Sequence, residues 1–259
     1  MHFDVAELRD FYTRPLGLMV RRLLAHRMRA RWRRLDRETL IGLGFATPYL
    51  GMFRSEAERV GALMPASQGA LVWPPVGPRM TALVEEEHLP LPDNSVDRLL
   101  AVHCLEMADR ARPLLREMWR VLSPQGRLMM VVPNRRGVWA RLDRTPFGQG
   151  RPYSRSQIEQ LLGETMFTPI DCSIVLHVPP LEWRMVMRSA TAFERVGARL
   201  SPAFGGVIIV EASKELAAPV KTSIKGVRLG RLVPVRGAMS ARDEPGLSRT
   251  RHIGSLADG

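Results

Sequence analysis

Few positions in this 259-residue chain combine a reactive side chain with a setting that could use it. His103 ends the apolar run 96–103, with Glu106 close behind, so the imidazole is the best-placed general base and the carboxylate its neighbour. A histidine that ends a strand is also a common structural residue, and that reading stands beside the first. Glu85 and Glu86 follow the run 79–84, and Gly42-Leu43-Gly44-Phe45-Ala46 follows the start of another. A glycine turn after a strand lets the backbone approach a ligand, while a run of glutamates is either a contact set or a solvated strand end. Asn134 follows a fifth apolar run, where it binds substrate or simply forms a turn, and His177 precedes the Pro179-Pro180 loop. Cys104 has no activating partner in the sequence and reads as a small core residue. Cys104 and Cys172 are the only cysteines, which gives neither a disulfide framework nor metal-ligand spacing, so no metal is expected.

These residues need a scaffold, and the periodicity supplies one. Short apolar runs alternate with amphipathic stretches, the pattern of an α/β sheet. Strands are expected at 39–45, 60–64, 79–84, 96–103, 127–132 and 207–212. Helices are expected at 48–59, 113–122 and 154–163, the last opened by a capping serine. Ahead of them, 4–34 has helical spacing interrupted by Pro15, which predicts two helices, the second studded with arginine. Three regions result: a basic helical extension over 1–37, an α/β domain over 38–218, and a disordered basic tail over 219–259, rich in Gly, Pro, Ser and Arg.

The net charge of +12 sits in the two ends. Residues 1–37 hold ten Arg against four acids, and 219–259 hold eight Lys or Arg against three. A basic amphipathic helix either lies on anionic lipid or covers a face of the sheet with its arginines solvated. Nearly all the positive charge is Arg, as an Arg-rich genome composition would also give, so nucleic acid is not the expected partner. No apolar run reaches the roughly 18 residues of a membrane-spanning helix, and a reducing cytoplasm is the simplest address for two free cysteines.

The middle of the chain carries the most specific pattern. Glu85-Glu86-Glu87-His88-Leu89-Pro90-Leu91-Pro92-Asp93-Asn94-Ser95-Val96-Asp97 is followed by Leu115-Arg116-Glu117-Met118-Trp119-Arg120-Val121-Leu122-Ser123-Pro124-Gln125-Gly126 and closed by Val131-Val132-Pro133-Asn134. This block resembles the type 11 branch of class I S-adenosylmethionine-dependent methyltransferases. The resemblance implies a Rossmann-like sheet of seven strands, mostly parallel with one antiparallel strand, and helices on both faces. It implies S-adenosylmethionine as cofactor, held by Gly42, Gly44, Ala46, Glu85, Glu86 and His103, with His103 and Glu106 as the catalytic pair and Asn134 and His177 toward the acceptor. Gly42 stands where the family has an acid, Ala46 and Pro48 stand at its second and third glycines, and Met64-Pro65 stands where a ribose-binding acid ends the second strand. The implied activity is methyl transfer to a small or lipid-like acceptor. The alternative is a non-catalytic relative that binds a protein partner through its N-terminal helices.

Overall fold

A computed structural model describes residues 4–216. Seven strands form one sheet: β1 (Thr39–Gly44), β2 (Arg59–Pro65), β3 (Thr81–Val84), β4 (Val96–Val102), β5 (Leu122–Pro133), β6 (Phe167–Val175) and β7 (Val207–Lys214). Their order is β3-β2-β1-β4-β5-β7-β6. All neighbours are parallel except β7, which runs antiparallel to both β5 and β6. The first three strands step outward one way from β1, and β4 and β5 step the other way. The carboxyl ends of β1 and β4 therefore flank the point where strand order reverses, the place at which such sheets leave a crevice for ligands.

Each face of the sheet buries its own apolar cluster. One face packs under α1 (Val5–Thr13) and α2 (Pro15–Arg31), the other under α4 (Ala111–Val121) and α5 (Arg155–Glu164). The two N-terminal helices form as their sequence predicts. Asp4 caps α1 and Glu7 closes the capping box from the third helical position. Pro15 ends α1 and opens α2 as a first-turn proline, where its missing N–H costs nothing. Gly17 lets the two helices fold back closely, because a Cβ there would collide with the Phe11 carbonyl. Leu16, Met19, Val20, Leu24 and Met28 of α2 are buried, so this helix covers the sheet; Arg21, Arg22 and Arg27 turn outward, while Arg29 and Arg31 pair with Glu56 and Asp171.

One expected element is shorter than its pattern suggested. The helix expected over 48–59 is a single turn, α3 (Thr47–Leu50). Beyond it the chain runs through successive turns, with Met52 and Phe53 donating to Tyr49 and Leu50. Gly51 weakens continuation there. Glu56 is drawn into an ion pair with Arg29 of α2, which turns the chain toward β2. Elsewhere the boundaries shift by a few residues, most at β5, which begins at Leu122 because the Ser123-Pro124-Gln125-Gly126 turn lies within its span. The tail expected over 219–259 lies outside the described residues.

Candidate active site

The carboxyl ends of β1 to β4 bring together residues that the sequence scatters over sixty positions. Gly44 closes β1 at φ +76, a conformation that glycine adopts without strain. Its amide neighbour Phe45 donates to the Val102 carbonyl at 2.8 Å, which ties the first loop to the end of β4. His103 follows at φ 49, in the left-handed region, so its side chain is thrown into the crevice. Gly42 backs the turn, with Ala46 and Leu50 packed directly over its Cα, and so does not line the crevice.

His103 is fully buried between α1 and the loop after β5. Its Nε2 lies 2.9 Å from the Tyr12 hydroxyl, and its ring centroid lies 4.8 Å from that of Phe147. Tyr49 donates to Tyr12 at 3.1 Å, which leaves the Tyr12 proton for His103 Nε2 and puts the imidazole proton on Nδ1. That Nδ1 approaches Glu106 Oε1 at 3.2 Å, yet the angle is not that of a hydrogen bond. Both Glu106 oxygens are therefore buried without a donor. Burial pushes the Tyr12 hydroxyl and the Cys104 thiol well up, so neither ionises near neutral pH; the thiol is held up further by Glu86 and Glu106, which it faces. Cys104 is thus an inert core residue.

At the ends of β2 and β3 a cavity of about 380 Å³ is lined by Ala66, Ser67, Glu85, Glu86, Met107 and Arg110, among others. Glu86 is half-buried there, and one of its carboxylate oxygens also lacks a partner. Burial, then Asp109 and Glu87, push its carboxyl up to about 7.

An aromatic wedge from α1 stands against His103 where β1 and β4 end. Tyr12 stacks on Phe45 at 5.7 Å between centroids and meets Tyr49 edge-on. Gln68, on the loop after β2, donates to the His103 carbonyl at 2.6 Å, and its own carbonyl accepts from Val5 at the start of α1. The periodicity of 4–34 places Tyr12 on the apolar side of a helix, but no local signal showed that this side faces the crevice.

Asn134 and His177 meet across one cavity of about 570 Å³, beside the N-terminus of α5. Asn134 is a clamp: its amide donates to the Ala203 and Gly205 carbonyls and its oxygen accepts from Arg136 N–H. His177 leans on Glu194, whose carboxylate also accepts from three backbone amides at 176–178. Neither His103 nor Glu106 lines that cavity.

Residues 72–130 match the family model described as "Methyltransferase domain". Solved structures share the fold at low identity. An S-adenosylmethionine-dependent methyltransferase from Archaeoglobus fulgidus superposes with a TM-score of 0.55 at 15% identity, over 75% of this chain and 94% of that one. The methyltransferase solved with the Trm112 activator of Haloferax volcanii gives 0.53 at 14%, over 74% and 93%. The [4+2]-cyclase SpnF gives 0.51 at 19%, over 75% and 80%, so the fold by itself does not dictate methyl transfer. No curated protein matches the chain. The seven-stranded sheet with its one reversed strand, together with the match over 72–130, makes this chain a protein of the class I S-adenosylmethionine-dependent methyltransferase fold.

Proposed function

We propose that this protein is an S-adenosylmethionine-dependent methyltransferase whose cofactor crevice is covered by α1 in this structure. The observation that carries the reading is two carboxyl groups near the strand ends, Glu106 fully buried and Glu86 half-buried, with oxygens that accept no hydrogen bond. Buried carboxylates without donors are rare and costly, and they call for a ligand that brings its own. S-adenosylmethionine carries N–H donors at both ends, on adenine and on the amino-acid moiety, and its sulfonium supplies the methyl group. Glu86 would accept from the nucleoside end, and Glu106 would face the cationic end. His103 would hold or take up a proton at Nε2 once Tyr12 withdraws.

Tyr12, stacked on Phe45 and bonded to His103, fills the crevice at the ends of β1 and β4 in this structure. The absent acids at Gly42 and Met64-Pro65 remove about 3–6 kcal/mol of charged hydrogen bonding. These two observations favour a second reading, in which the wedge is permanent and the domain is non-catalytic. Titration with S-adenosylhomocysteine, followed by thermal shift, separates the two. A ligand at a hundred times its Kd stabilises by about 2.7 kcal/mol. The first reading expects saturable stabilisation that grows in Tyr12→Ala relative to the intact chain. No shift in either protein at millimolar ligand would overturn it and leave the second.

A further inference from the structure

The outer surface of residues 181–204 is unlike the rest of the described chain. Here α6 (Arg184–Arg188) and α7 (Ala190–Leu200), with the turn that follows, leave Trp183, Met185, Phe193, Val196, Leu200 and Phe204 exposed. Trp183, Met185 and Leu200 are 67%, 77% and 78% exposed, and they fall within one short stretch with three further exposed apolar residues. On α7 the exposed apolar residues fall at 193, 196 and 200, a stripe at helical spacing. Its buried residues, Ala190 and Glu194, lie about a quarter turn away, so this is a second apolar face beside the one that packs inward.

The charge around the stripe is mostly positive. Arg184, Arg188, Arg195 and Arg199 are all exposed. Of the two acids in this stretch, Glu194 is turned inward to the amides at 176–178, which leaves Glu182. Arg195 and Thr191 share a small cavity with Leu23, His26 and Arg27 of α2, so the basic rim continues onto the N-terminal helix. No helix among the described residues is long and apolar enough to cross a membrane.

We propose that this face docks on an anionic lipid surface. Protruding apolar side chains with a tryptophan, flanked by arginines at the level of headgroups, are what an interfacial helix presents. These highly exposed side chains suit a fluid acyl layer, which needs no complementary pocket, better than the packed interface of a protein. A lipid surface also suits a rim on which four exposed arginines outnumber one exposed acid, Glu182. This inference does not depend on whether the cofactor crevice opens.

Cosedimentation of the full chain with sucrose-loaded vesicles tests it, comparing phosphatidylcholine alone with phosphatidylcholine containing one-third phosphatidylglycerol. The chain is expected to bind the anionic vesicles and to lose binding as salt is raised, because exposed charges are then screened. Arg195→Ala with Arg199→Ala should weaken partition about 25-fold, at roughly fivefold per arginine near the surface. Trp183→Ser with Leu200→Ser should weaken it at least tenfold with an unchanged melting transition, since both side chains are exposed. Absence of binding to either vesicle overturns the proposal. So does equal binding by the Trp183→Ser, Leu200→Ser protein, which would place the contact elsewhere in the chain. A dimer in solution that these substitutions dissolve would overturn it too, and would assign the face to a second copy.

Discussion

The Tyr12 hydroxyl and His103 Nε2, ninety-one residues apart in sequence, stand 2.9 Å from each other inside the crevice at the carboxyl ends of β1 and β4. The bond is buried, so its two partners have no water to fall back on. Tyr12→Phe keeps the ring and its stacking on Phe45 but leaves His103 Nε2 without a donor. Stranding a buried polar group costs about 1–3 kcal/mol, and urea denaturation should show a loss of that size. An unchanged midpoint would mean that the wedge is held by ring packing alone.

Two glycines seven residues apart offer a contrast in the same segment. Gly44 has φ +76, and a Cβ there would press into the Val102 carbonyl and Cys104. Gly51 has an ordinary φ of −57 and nothing near its would-be Cβ. Gly44→Ala should therefore destabilise by at least about 2 kcal/mol, combining strain with overpacking. Gly51→Ala should be neutral or stabilise by about 0.4–1 kcal/mol through the unfolded state. Paired thermal melts decide it, and equal effects at both sites would contradict this account of the turn.

Periodicity and turn chemistry made the sheet legible. The run 96–103, the Ser123-Pro124-Gln125-Gly126 turn and the capping serine at 154 are local signals, and each marks an element close to where it lies. The site was legible as a list of residues around 42–46, 85–86 and 103–106. Its filling was not, because Tyr12, Phe147 and Gln68 reach His103 through tertiary packing that leaves no mark on spacing. The same limit applies to 181–204, where the sequence shows apolar residues but not which of them stay outside.

The antiparallel strand β7 is pinned at its end by a buried lysine. Lys214 donates to Asn94 Oδ1 at 2.5 Å and to the Leu122 carbonyl at 2.6 Å, and lies 4.0 Å from the centroid of the Trp119 ring. Lys214→Ala should cost about 2–4 kcal/mol, because charged hydrogen bonds and a cation–π contact disappear together. Trp119→Leu, which removes the ring and keeps both hydrogen bonds, should cost less. Chemical denaturation of the two proteins measures the difference, and a reversed order would show that the ring holds the strand.

Glu86 makes stability depend on pH in an unusual direction for a carboxyl. Burial and the neighbouring Asp109 and Glu87 push it up to about 7, above its ordinary value of 4.5. Between these limits the folded chain holds a proton that the unfolded chain has released. Stability from this group is therefore fully present below about 4.5 and is lost as pH rises toward 7. The side chain is only half-buried, so solvent screening reduces the effect to about 1 kcal/mol. Glu86→Gln removes the titration, and its unfolding free energy should show a flatter slope between pH 5 and 7 and a gain of about that size at pH 8. Parallel slopes for the two proteins would show that the carboxylate finds its missing donors from solvent, and with that the demand for a donor-bearing ligand at this end of the crevice would fall away.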